Sequence, residues 1–168
     1  MNILFTGCPG CGKSTIIESI VKRFTQPACG FFTREIRESG TRMGFSINTL
    51  DGKCGILAKK GMKSRFKVGS YGVCIDDIEH IAVPSMVPKR YNEYVVIDEI
   101  GKMECCSELF RKTLISVLDS EHHVIGAISI RGNRFIEEIK KRNDVEVILV
   151  TRKNRDNLAG ISLNEFLD

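Results

Sequence analysis

The sequence predicts an α/β fold: a mainly parallel sheet sandwiched by helices, with an antiparallel β-hairpin insertion. Three observations carry that prediction. The run Gly7-Cys8-Pro9-Gly10-Cys11-Gly12-Lys13-Ser14 fits G-x-x-x-x-G-K-[ST] and sits between a strand-like apolar run and an amphipathic helical pattern. Continuous rather than alternating apolar runs at residues 94–97, 124–130 and 145–150 read as strands covered on both faces, as in a parallel sheet. Between the first strand and these, residues 30–58 hold short strand-like pieces split by Ser39-Gly40 and Asp51-Gly52. Asp-Gly is a strong hairpin turn signal.

Strand one covers residues 2–6, and the helix after the glycine-rich run puts Ile16, Ile17, Ile20, Val21 and Phe24 on one face. Gln26-Pro27 is expected to end it, because proline has no N–H and clashes with the preceding turn. The hairpin pieces are Phe31-Phe32-Thr33, Gly44-Phe45-Ser46-Ile47 and Gly55-Ile56-Leu57. Lys59 to Gly69 reads as a basic, glycine-punctuated loop, and Tyr71 to Ile75 as a further strand. Asp76 is placed to cap a helix running to about Pro84. Tyr94-Val95-Val96-Ile97 forms the second strong strand. A helix from about Glu104 to Leu118 follows it, burying Phe110, Leu114, Val117 and Leu118. Val124 to Ile130, a helix near residues 133–142, and Val145 to Val150 complete the alternation. Ser162-Leu163-Asn164-Glu165 matches a capping box opening a short last helix.

Composition bounds the function. A chain of 168 residues, 42% apolar and 27% charged, reads as one soluble domain spanning residues 1–168. The net charge of +4 suits a protein that handles polyphosphates and is too small to imply nucleic acid as a partner. No apolar stretch approaches the ~18–20 residues of a membrane span. The apolar N-terminus belongs to the first strand rather than to a signal peptide, so a cytoplasmic protein is expected. Seven cysteines, an odd number, argue against a disulfide framework. Cys8 and Cys11 match C-x-x-C but already serve as variable positions of the phosphate loop, and Cys105-Cys106 lacks the spacing of a second zinc pair. Cys29, Cys54 and Cys74 read as small core hydrophobes.

The glycine-rich run is a phosphate-binding loop by chemistry as well as by pattern. Glycines let successive N–H groups turn toward phosphate oxygens, and the helix N-terminus adds the positive end of its dipole. Gly7, Cys8, Pro9, Gly10, Cys11 and Gly12 form the cradle. Lys13 is placed to reach the β- and γ-phosphates, and Thr15 to offer its backbone N–H near the α-phosphate. Val95-Val96-Ile97-Asp98-Glu99 has the form of a Walker B strand, whose carboxyl end is where ligands collect in open α/β sheets. Asp98 would hold Mg²⁺ through a water while the Ser14 hydroxyl binds the ion directly. In P-loop proteins with an added strand beside the first, the carboxylate at the Glu99 position orients or deprotonates the attacking water. The bland alternative for Glu99 is capping the turn at Gly101.

Four segments resemble the small nucleoside-triphosphatase family of hyperthermophiles, whose animal members are called cancer-related nucleoside-triphosphatases. They are residues 7–15; residues 30–37 with Arg42-Met43-Gly44-Phe45; Val96-Ile97-Asp98-Glu99-Ile100-Gly101-Lys102-Met103-Glu104; and Asn154-Arg155-Asp156. The resemblance implies Mg²⁺-dependent hydrolysis of ATP, GTP and other nucleoside triphosphates to the diphosphate and phosphate, with loose base selectivity and slow turnover. It also implies a P-loop sheet of the added-strand type. Cys8 and Cys11 are not required by the family pattern and would make the loop sensitive to oxidation.

Further candidates flank this centre. Arg131, at the end of the third strong strand, could balance charge on the γ-phosphate or be a surface arginine. Arg34, Arg37 and Arg42 could swing over the phosphates or form a solvated sheet face. Arg155 could stack on a nucleobase. Lys59 to Lys67 is a basic cluster with one aromatic, Phe66, and reads as a loop or lid rather than a nucleic-acid surface. His122 and His123 read as surface residues. A hydrolase is therefore expected, with Lys13, Glu99 and Arg131 as its catalytic residues, and as a monomer. The alternative is a small nucleotide or nucleoside kinase, disfavoured because the hairpin stands where such kinases carry a helical acceptor element. A nucleotide-driven switch would need a second domain or tail that the sequence does not supply.

Overall fold

The computed structural model describes residues 1–161, and the expected capping-box helix at Ser162-Leu163-Asn164-Glu165 lies outside them. β1 (Asn2–Thr6) is buried at every residue and leads through the glycine-rich loop into α1 (Lys13–Val21). Gly12 caps α1 at φ 107° and Gly10 sits at φ 74°, left-handed backbone that a Cβ would strain. Ile16, Ile17 and Ile20 are buried as expected, but α1 stops before Gln26-Pro27. The chain there tightens into three-residue turns, with Arg23 N donating to Ile20 O and Phe24 N to Val21 O.

The insertion is larger than the sequence pattern suggests. It comprises β2 (Ala28–Glu38), β3 (Thr41–Thr49), β4 (Cys54–Lys60), β5 (Lys67–Val68) and β6 (Tyr71–Val73). Lys59 and Lys60 thus belong to a strand, not a loop. Ser39-Gly40 makes the β2–β3 turn, both residues at positive φ. β2 has a second role. Its first half, Ala28–Phe32, pairs in parallel with Tyr94–Asp98 of β7 (Tyr94–Ile100), while Phe31–Glu38 carries β3. An eleven-residue strand is long enough to weld the hairpins to the parallel sheet.

The result is one nine-stranded sheet in the order β5-β6-β4-β3-β2-β7-β8-β1-β9, with β8 (Val124–Ile128) and β9 (Val145–Leu149). β8 stands between β1 and β7, the added-strand arrangement. β9 is an edge strand, so its apolar run is not covered on both faces and Leu149 is exposed.

Helices cover both faces. Alternation along β1 sends Ile3 and Phe5 to one side, with Ile16, Ile17 and Ile20 of α1 and Leu158 of α6 (Arg155–Gly160). Leu4 goes to the other, with Phe31, Ile97, the helix α4 (Glu108–Leu118) and α5 (Arg134–Lys140). Phe110, Leu114, Val117 and Leu118 of α4 are buried as expected, each worth roughly 1.5–3 kcal/mol. The predicted start of that helix at Glu104 is instead a separate 3₁₀ turn, Glu104–Cys106. Ser107 breaks the two apart by adopting extended backbone and capping Phe110 N at 3.0 Å. Residues 75–85 also join the second face, as α2 (Ile75–Asp77), a π-helical turn Ile78–Ala82 and α3 (Val83–Ser85). The cap there is Cys74 rather than Asp76, and Asp77 turns back to accept Ile56 N of β4 at 2.6 Å. All seven cysteines are free. Cys105 is the buried one, whereas Cys54 is exposed and Cys29 and Cys74 are only partly buried, because they lie on insertion strands and their margins.

Candidate active site

Parallel pairing brings the carboxyl ends of β1, β8 and β7 to one rim. The glycine-rich loop leaves β1 there, Ser129-Ile130-Arg131 follows β8, and Asp98-Glu99 lies near the end of β7. All three groups line one cleft of about 730 Å³, whose far wall is the hairpin insertion. Of the sequence-predicted residues, Gly7, Pro9, Gly10, Gly12, Lys13, Ser14, Thr15, Asp98, Glu99 and Arg131 line that cleft. Lys13 Nζ folds back over the loop, donating to Gly7 O at 3.0 Å and Cys8 O at 3.3 Å.

Asp98 is the electrostatic centre. Its side chain is 2% exposed and its Oδ2 is buried with no hydrogen-bond partner among the described residues. Burial pushes its carboxyl up to about 6; the Ser14 hydroxyl opposes that shift and the Glu99 charge adds to it. A buried, unpartnered carboxylate oxygen beside a serine hydroxyl is donor chemistry for a hard cation that completes its shell with water and phosphate oxygens. Among the described residues no group of three or more His, Cys, Asp or Glu side chains converges as a self-sufficient metal cage.

Glu99 is half-buried, and its Oε1 accepts from Ser129 Oγ at 3.4 Å. A third carboxyl, Glu104, was not singled out from the sequence. It is buried at the cleft wall, and burial first, then the Glu99 charge, raise it well above the usual carboxylate range. The two acids converge on Gly101: a methyl there would meet Glu104 Oε2 at 2.8 Å and Glu99 Oε1 at 3.0 Å. Gly101 thus leaves room for the acids rather than serving only as a turn. The sequence signal for Glu104 was present in the run after Asp98-Glu99, but a helix start explained it equally well.

The remaining candidates divide. Arg34 and Arg42 line the cleft, while Arg37 is held away by Glu35 at 2.7 Å and Gly40 O at 3.0 Å. Arg34 pairs with Glu18 of α1 at 2.8 Å, and Arg42 with Glu35 at 3.3 Å. Cys8 is exposed and Cys11 partly buried, and neither belongs to the cleft wall; Cys11 N closes a turn on Cys8 O. Arg155 does not line the cleft either; it lies beside the loop, its Cδ 3.7 Å from where a methyl on Gly12 would be. The basic segment is dispersed: Lys59 pairs with Glu38, Lys60 sits over Tyr71, and Arg65 over Phe66. His122 bonds Glu93 O, and His123 bonds the N-terminus and stacks on Tyr94.

The family model described as NTPase matches residues 2–162. The chain belongs to that family. It is 45% identical to the nucleoside-triphosphatase THEP1 of Thermotoga sp. strain RQ2, over 99% of this chain and 94% of that one. The human cancer-related nucleoside-triphosphatase is 35% identical, over 94% of this chain and 92% of its own. The crystal structure of THEP1 from Aquifex aeolicus superposes with a TM-score of 0.86 at 36% identity, covering 95% of each chain. The P-loop fold and the family resemblance read from the sequence both stand.

Proposed function

We propose that this chain is a Mg²⁺-dependent nucleoside triphosphatase, hydrolysing ATP, GTP and related triphosphates to the diphosphate and phosphate. The observation that carries the reading is Asp98: a buried carboxylate with an unpartnered oxygen, beside Ser14, facing an anion-binding loop. Asp98 and Ser14 would hold Mg²⁺, which when bound neutralises charge on the β- and γ-phosphate oxygens. The loop N–H groups from Gly7 to Thr15, Pro9 excepted, grip the phosphates, and Lys13 exchanges its carbonyl contacts for phosphate oxygens. Glu99 accepts the proton of the attacking water; Ser129 holds its carboxylate in place. Arg131 is exposed and has no carboxylate partner among the described residues, so it is free to approach the transferring phosphoryl group. Arg155, beyond the helix end of the loop, takes the base by stacking, a contact tolerant of base identity.

Phosphate release from Mg-ATP and Mg-GTP tests this reading. It should proceed with no added acceptor, stop when EDTA removes Mg²⁺, and be lost together with nucleotide binding in Lys13→Ala. Metal-independent turnover, or tight nucleotide binding by Lys13→Ala, would contradict it.

A further inference from the structure

The cleft extends past the phosphate loop to the hairpin insertion. Beyond Glu99, away from the loop, its walls change from polar to apolar: Phe45 of β3, Leu57 of β4, Val68 of β5, Tyr71 of β6 and Met103. Phe45 and Tyr71 pack edge-to-face with ring centroids 5.5 Å apart, so the far wall is a rigid aromatic corner. Arg42 lies over both rings and donates to Tyr71 Oη at 3.1 Å, while Glu35 meets its charge. The corner therefore offers aromatic and apolar surface; Arg42 is paired with Glu35, and Lys60 also lies over the Tyr71 ring.

Topology decides which end of the nucleotide this corner faces. Asp98 and Glu99 mark the γ-phosphate end of the loop, and β2, β3, β4 and β6 lie on the far side of β7 from β1. Arg155, the first residue of α6, lies beside Gly12 and does not line this cleft. The cleft of about 730 Å³ takes in the phosphate loop as well as this corner, and it falls in the range of sites that hold a whole drug-sized ligand.

We propose that this part of the cleft is an acceptor subsite for an uncharged nucleoside, built by the hairpin insertion itself where small kinases use a helical element, with the ring against Phe45 and Tyr71 and a sugar hydroxyl toward Glu99. The inference rests on the loop holding the γ-phosphate next to Glu99. The acceptor oxygen forms a bond to the γ-phosphorus and its proton passes to the Glu99 carboxylate. The bond from that phosphorus to the β–γ bridging oxygen breaks, and the nucleoside diphosphate leaves with the electron pair. Water takes the same place when the chamber holds no acceptor, which gives hydrolysis.

Two measurements test it. In the first, the protein is saturated with Mg²⁺ and the non-hydrolysable β,γ-imido analogue of ATP, so that the base site is filled. Radiolabelled adenosine, guanosine, cytidine or uridine is then added. At least one should bind saturably, and filling the chamber with Val68→Trp or removing its aromatic wall with Tyr71→Ala should weaken binding about tenfold or more. In the second, Mg-ATP and that nucleoside should yield nucleoside monophosphate at the expense of free phosphate. Absence of saturable binding by every nucleoside, or unweakened binding in both variants when their thermal melts show them folded, would overturn the subsite. So would binding without any monophosphate product while ATP alone still releases phosphate. Failure of phosphate release from Mg-ATP alone, with nucleoside binding intact, would instead count against the hydrolase reading and leave the subsite standing.

Discussion

Burial makes the Asp98 carboxylate costly to ionise, and that cost has a sign and a pH window. Its carboxyl is raised from 3.8 to about 6 in the fold. Across that window the folded chain keeps a proton that the unfolded chain has released, so stability falls as pH rises from about 4 to 6. Above it the full penalty stands, on the order of 3 kcal/mol for a group this deeply buried. Asp98→Asn should therefore raise the Tm of the apoprotein by several degrees at pH 7.5, with the gain vanishing near pH 4, while Mg²⁺-dependent hydrolysis is lost. An unchanged Tm at pH 7.5 would mean that the carboxylate is not disfavoured in the fold. Glu104 is raised in the same direction by burial and by the Glu99 charge. Glu104→Gln should be tolerated by the fold and should stabilise it most at alkaline pH, as thermal melts against pH would show. The exposed Cys8 thiol keeps the sequence expectation alive: mild oxidant should slow phosphate release and reductant restore it, whereas an unaffected rate would exclude that sensitivity.

Among the elements, the junction before α4 shows best how one residue sets geometry. Ser107 is buried, accepts Phe110 N at 3.0 Å and donates to Glu79 Oε1 at 2.8 Å, tying α4 to the π-helical turn. Ser107→Ala removes a cap and leaves Glu79 without that donor, and should cost about 1–2 kcal/mol in denaturant melts. A loss below a few tenths would show the cap to be dispensable. This junction was only half legible in the sequence. Phe110, Leu114, Val117 and Leu118 announced the buried stripe by their spacing, but periodicity cannot tell a continuous helix from a 3₁₀ turn followed by a capped one. The same holds elsewhere. The loop motif and the acidic strand end were readable because each needs particular residue types at fixed spacing. The double pairing of β2 and the edge position of β9 were not, since both depend on which strand becomes a neighbour. Glu104 escaped for a related reason: its environment is made by Gly101 and Glu99 only after β7 and the 3₁₀ turn are in place.

For the molecule as a whole, the long β2 strand couples the hairpin insertion to the nucleotide-binding half through one hydrogen-bonded sheet. We expect a single cooperative domain: far-UV circular dichroism and tyrosine fluorescence should give coincident denaturant midpoints, and split transitions would reveal two units. Large exposed apolar side chains come from several segments of the described chain: Val87 and Tyr91 from one loop, Leu109 from α4 and Leu149 from β9. Sedimentation should accordingly return a monomer near 18.8 kDa, and a dimer would contradict that expectation. The same sheet gives the cleft its two unlike ends, with the glycine-rich loop and the acids on the parallel side and an aromatic corner on the antiparallel side. Glu99 stands where they meet, and its substitution is the most direct test of the whole account. Glu99→Gln should bind Mg-ATP nearly as tightly as the natural chain while phosphate release falls by about two orders of magnitude or more. A variant that binds nucleotide and still hydrolyses it at close to the natural rate would show that water is prepared by some other group.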